Sequence, residues 1–112
     1  MESTEKSIVA VQRCRSYDSQ TVYSAILRQF ELLGGVQRFI KSSQRVLIKP
    51  NLIVPRPAEV PAQTHPEVIY EVARIVKEAG GVPVVGDSPA WGTTDGCLKA
   101  LGIDGRLREL GV

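Results

Sequence analysis

The stretch Arg45-Val-Leu-Ile-Lys-Pro-Asn51 constrains this chain more than any other. Val46, Leu47 and Ile48 make a short apolar run of the kind a buried parallel strand uses, and it stops abruptly on a cation, a proline and an amide. Pro50 has no N–H for a sheet ladder, so the ladder ends there or runs along an edge. The strand therefore delivers Lys49 and Asn51 to one end of a sheet.

Taken in order, the chain supplies the partners of that strand. Residues 7–13 form another apolar run and are expected to be a first buried strand. Asp18 or Ser19 then offers an N-cap. Val22, Ile26, Phe30 and Leu33 recur at helical spacing, with Ser24, Arg28, Gln29 and Glu31 on the opposite side, and Gly34-Gly35 closes the helix. A further helical turn is expected over residues 36–41. After Asn51, Pro55, Pro57 and Pro61 exclude a helix from residues 52–63 and stiffen a loop long enough to serve as a lid.

The next helix opens at Thr64-His-Pro-Glu67 and runs to about Ala79, with Val68, Val72, Ile75, Val76 and Ala79 inward and Glu67, Glu71, Arg74 and Glu78 in water. Thr64 with Glu67 fits a capping box, whereas Pro66 at the first helical position would make His65 the cap. Val82 to Gly86 is the third strand, and Pro83 places it at or near an edge. Thr93 or Thr94 caps a helix through Leu101, and residues 103–110 are a further short helix. Trp91, in the loop between, is expected to pack over that loop. The fold class that follows is α/β of three-layer type, in β-α-β-α-β-α order, with a mostly parallel sheet of about three strands that belongs to a larger sheet.

The 112 residues suit one domain, and a composition of 43% hydrophobic and 23% charged residues is ordinary for a globular one. A net charge of +2 without a Lys/Arg run argues against a nucleic-acid partner. No apolar run reaches the roughly 20 residues of a membrane span, which argues against a membrane partner. The polar residues 1–7 resemble neither a secretory signal nor a transit peptide, so the expected location is cytoplasmic. Cys14 and Cys97 form no C-x-x-C and are expected to be free thiols, and with His65 as the single histidine no metal site is expected.

In a parallel sheet all carboxyl ends share one rim, where ligands of open α/β sheets bind. That rim should collect residues 13–18, Lys49 and Asn51, Asp87 and Ser88, and the helix start at Thr64 and His65. Lys49, His65 and Asp87 are the candidate catalytic residues, and Asn51, Thr64 and Ser88 the candidate substrate-binding ones. Cationic and amide donors beside a helix N-terminus and a carboxylate suit an anionic small molecule. Each has a plainer role: Lys49 reaching water from a strand end, Asn51 and Asp87-Ser88 forming turns, His65 only opening a helix. Their convergence on one rim is what favours a site.

The motifs Tyr17-Asp18, Leu33-Gly-Gly35, Val46-Leu-Ile-Lys-Pro-Asn51, Thr64-His-Pro-Glu67 and Gly86-Asp-Ser-Pro89, in register from Ile8 onward, resemble the domain-of-unknown-function family numbered 362. The family's domain is longer, so residues 1–112 look like the amino-terminal portion of a single α/β domain. Many members carry ferredoxin-type cysteine motifs and are labelled iron–sulfur proteins, but Cys14 and Cys97 match no such motif, which leaves the cofactor open. The resemblance implies a shared site at Lys49, Asn51, His65, Asp87 and Ser88, in an α/β protein related to iron–sulfur-linked enzymes. The alternative is a non-catalytic half-domain or gene fragment that acts as a scaffold or partner-binding module, with self-association or pairing through an open sheet edge.

Overall fold

A computed structural model describes residues 6–112. The elements are α1 (Ser19–Leu32), a 3-10 turn (Val36–Arg38), β1 (Arg45–Ile48), α2 (Pro66–Glu78), β2 (Val82–Val85), α3 (Thr94–Leu101) and α4 (Asp104–Glu109). β1 and β2 pair in parallel, with Arg45 opposite Val82 and Ile48 opposite Val85. The fold is thus mixed α/β around a parallel sheet, and α2 is the crossover that parallel pairing requires.

Helix α2 is the centre of the packing. It touches α1 on one side, both strands on another, and α4 on a third. Its buried residues are Pro66, Ile69, Glu71, Ala73, Ile75 and Val76. Ile69 and Ala73 enter a core with Leu52, Cys97, Leu98, Leu101, Ile103 and Leu107, against which Ile48 and Val85 pack from the sheet. The side facing α1 holds a correction. Glu71, expected in water, is 0% exposed. It is tolerated because a buried carboxylate can be satisfied by donors. The Ser19 hydroxyl donates to Oε1 at 2.5 Å, and the Arg74 guanidinium lies 3.4 Å from Oε2. The same seam carries Tyr23, whose hydroxyl donates to Glu78 at 2.5 Å, an interaction that pushes the phenol pKa up.

Local signals set the helix ends. Asp18 caps α1 by accepting from the Thr21 N–H, and the chain leaves that helix through Gly34 and Gly35 at φ of 108° and 97°, a region glycine enters freely. Gly81 brings the chain close under α2, where a Cβ would come within 2.9 Å of Ile40.

The described residues form two strands, not about three, because residues 7–13 pair with no strand. Ile8, Val9 and Val11 are 72%, 78% and 85% exposed, and the recorded tie is a Gln29 side-chain N–H donating to the Ala10 carbonyl at 3.5 Å. An apolar run has the propensity for a strand but becomes one only when its backbone finds a partner. Helices cover one face of the sheet. On the other, Leu47 and Val82 are 64% and 45% exposed, so a second helical layer is not seen among the described residues. Trp91 also departs from expectation: its N–H bonds the Ile53 carbonyl at 3.1 Å, but its ring is exposed.

Ile69→Ala should lower the unfolding free energy by about 3 kcal/mol, whereas Ile8→Ala should change it by no more than about 0.5 kcal/mol. Urea melts followed by circular dichroism measure both, and a large Ile8 effect would mean that residues 7–13 carry sheet contacts.

Candidate functional site

The ends of β1 and β2 are joined by one carboxylate. Asp87 follows β2 by two residues, and its Oδ1 lies 2.7 Å from the Lys49 Nζ at the end of β1. Its other oxygen accepts from the Leu52 N–H at 2.9 Å. The Asp87 side chain is 7% exposed and that of Lys49 67%, so the pair has a buried acid and a solvent-facing base. The Lys49 ammonium first, then the N–H groups of Leu52 and Ser88, hold the Asp87 carboxyl below the usual carboxylate range against the opposing effect of burial. The Asp87 backbone is fixed from the other side by Thr94, whose hydroxyl accepts from its N–H at 3.3 Å and donates to its carbonyl at 2.9 Å.

Asn51 and Thr64 close the mouth of the prolyl loop. The Asn51 N–H donates to the Thr64 hydroxyl at 2.9 Å, and the Thr64 N–H donates to the Asn51 carbonyl at 3.0 Å. The Thr64 hydroxyl is thereby occupied, and the cap of α2 falls to His65, whose Nδ1 accepts from the Glu67 N–H at 3.1 Å with Pro66 at the first helical position. Accepting at Nδ1 keeps the proton of a neutral imidazole on Nε2, on the far side of the ring. Tyr17 stacks on that ring, with centroids 3.6 Å apart and planes within 1°. The helix start is further held to α4 by a two-pronged pair between Glu67 and Arg106, at 2.5 and 3.3 Å.

Lys49 and Asp87 are therefore in direct contact; Asn51, two residues after Lys49, is hydrogen-bonded to Thr64, and His65 follows Thr64 in the chain. Ser88 is exposed beside Asp87. The rim residues of 13–18 contribute Tyr17 to the His65 ring, and Arg13 and Arg15 line a separate open hollow with the start of α1. Tyr17 belongs to the stretch 13–18 expected at the rim, whereas the parts that Leu52 and Thr94 play at Asp87 are not marked in the sequence. Tyr17 and Thr94 carry no spacing signal, and the Leu52 contribution is a backbone N–H.

An iron–sulfur cluster needs several thiolates at one place. Cys97 is buried in the apolar core, where burial and then the Asp87 carboxylate push its thiol pKa up, and Cys14 is exposed with its Sγ 3.2 Å from the Ser16 carbonyl. This donor set does not fit a cluster. Among the described residues no group of three or more His, Cys, Asp and Glu could hold a metal ion, nor is any helix long and apolar enough to cross a membrane.

A parallel α/β unit with polar side chains gathered at its strand ends defines a class of protein. Within that class, the profile of the domain of unknown function DUF362 matches residues 46–112, and the chain belongs to this family. It is also 38% identical over 104 residues to the thylakoid-associated protein sll1697 of Synechocystis sp., an alignment that takes in 93% of this chain and 32% of that protein. The chain thus spans about a third of the length of the curated relative it matches. No solved structure matches the chain.

His65→Ala should cost about 1 kcal/mol through loss of the α2 cap, and His65→Asn should restore most of it. Urea midpoints of the two variants provide the check. Asp87→Asn should lower stability at neutral pH. Because the folded carboxyl ionises below its unfolded value, the contribution of Asp87 is complete above the unfolded pKa and is lost as pH falls through the folded one. The gap between wild type and Asp87→Asn should accordingly close in urea melts carried down from pH 7 to pH 3.

Proposed function

We propose that the rim of Lys49, Asn51, His65 and Ser88 is the binding site of an α/β enzyme domain for an anionic small molecule. The observation that carries this is the Lys49–Asp87 pair: a solvent-facing ammonium held at a strand end by a carboxylate that is itself buried and hydrogen-bonded. Only one of the three ammonium protons is needed by Asp87, so Lys49 keeps donors for a carboxylate or phosphate oxygen. Asn51, two residues after Lys49, and Ser88, next to Asp87, add polar side chains, and Thr64 holds the Asn51 backbone in place. Asp87 stays ionised over the physiological range, which suits positioning Lys49 better than carrying a proton. His65, with Nδ1 engaged at the helix cap and Nε2 on the far side, is the group suited to move one. The prolyl loop, tied at its base by Asn51 and Thr64, would cover the bound molecule.

The cytoplasm is the location proposed for this activity. The relative's name associates that protein with thylakoids, and fractionation of cells expressing this chain distinguishes a free pool from one that sediments with membranes.

A second reading, a scaffold or partner-binding half-domain, is favoured by a different observation. Leu47 and Val82 face solvent on a sheet type that is normally covered on both sides. Self-association through an open sheet edge belongs to this reading.

Titration with inorganic phosphate, pyrophosphate and citrate, followed by calorimetry, tests the first reading. At least one should bind, and Lys49→Ala should weaken it at least tenfold without changing the circular dichroism spectrum. If all three bind equally to wild type and Lys49→Ala, or none binds, the rim is not an anion site.

A further inference from the structure

The backbone N–H and C=O groups of β2 number seven, and three of them have no partner among the described residues. In a parallel pair a residue sends its N–H and C=O to the same side. The Val82 N–H reaches the Gln44 carbonyl at 2.8 Å and the Gly86 N–H reaches the Ile48 carbonyl at 3.1 Å, so Val82, Val84 and Gly86 face β1. Pro83 and Val85 face the other way. The Pro83 carbonyl and the N–H and carbonyl of Val85 have no recorded partner among the described residues. Proline at the outward position removes one donor from an edge that is otherwise ready to pair.

Beside this edge lies a groove of about 380 Å³ that runs the length of Val82–Val85. Leu98 of α3 and Leu107 of α4 give it an apolar wall, and Asp95, Asp104 and Arg108 line it beside Gly111 and Val112. The end of α4 is held near the start of β2, because the Lys77 ammonium in the last turn of α2 donates to the Leu110 carbonyl. A segment entering beside Val112 would run in the same direction as β2. The groove therefore combines what a third parallel strand requires: unpaired backbone groups, an apolar wall for alternate side chains, and an entry at the correct end.

We infer that the outer edge of β2 is the docking edge for a third, parallel strand, and that its occupant is family polypeptide from the part of the longer relative that this chain does not match. The inference rests on the partner-binding reading and assigns that partner's place and kind. Its support is twofold. The alignment takes in 93% of this chain but 32% of the relative, so the same unit occurs within a much longer polypeptide. The edge sets unpartnered backbone groups of Pro83 and Val85 beside an apolar wall of Leu98 and Leu107.

The test co-expresses the tagged chain with the polypeptide of the Synechocystis relative that lies outside the matched region. Expected is a one-to-one complex in which the Val85 amide exchanges at least a hundredfold more slowly than in the chain alone. Val85→Pro, which removes the outward N–H, should reduce capture at least tenfold. Because the Val85 side chain also packs against the core, the variant should unfold at lower urea than wild type but keep its circular dichroism spectrum. Should it fail to fold, the Val85 amide exchange of the wild-type complex decides alone. A complex in which the Val85 amide stays fast overturns the edge assignment while the partner-binding reading survives. No complex at all overturns both. A homodimer abolished by Val85→Pro, with no capture of the relative's polypeptide, makes a second copy the occupant and likewise overturns the inference.

Discussion

The Asp87 carboxylate couples the core of this protein to its polar rim. A carboxylate removed from water must find donors, and Asp87 finds them in the Lys49 ammonium, the Leu52 N–H and the Ser88 N–H. Leu52 is at the same time buried in the main cluster with Ile69 and Leu101. The residue that anchors the start of the prolyl loop in the core thus gives its N–H to the acid that positions the rim lysine. Displacing Leu52 would loosen both. Burial of an apolar side chain and placement of a surface charge are here one arrangement.

Helix α2 gives that arrangement a rigid base. Its first residues stand at the rim, with His65 capping the helix and Tyr17 stacked on the imidazole, while its body is enclosed by α1, the sheet and α4. The Glu71 and Glu67 carboxylates tie it sideways to Ser19 and Arg106. Such polar ties give less net stability than apolar packing, but they fix register, since an unpaired partner in the same place is costly. The uncovered sheet face and the open β2 edge show the opposite condition: apolar and backbone groups for which the described residues supply no counterpart.

The meeting of Lys49 and Asp87 could be read from sequence because it depends on topology alone. Two parallel strands joined by one helix place their carboxyl ends side by side, whatever the details of packing. The choice between Thr64 and His65 as cap could not be read, because both local patterns are sound; the Thr64 hydroxyl is taken by the Asn51 N–H, thirteen residues away. Glu71 was misleading for a related reason. Its neighbours Glu67, Arg74 and Glu78 mark a wet face, and only the approach of Ser19, 52 residues distant, encloses it. Residues 7–13 have a strand's composition, but periodicity does not report whether a neighbouring strand is present. Local signals placed the helices and β1–β2 well, and long-range partners decided the rest.

An ion pair between Lys49 and Asp87 sets the rim. The most direct measurement is the pH titration of the Asp87 carboxyl carbon by NMR, in wild type and in Lys49→Met, with the Leu52 amide followed in the same series. The wild-type midpoint should lie below that of an ordinary aspartate, the Leu52 amide should shift with it, and the midpoint should rise when the ammonium is removed. An Asp87 that titrates like a free aspartate in both proteins, with Leu52 unmoved, would contradict that pairing.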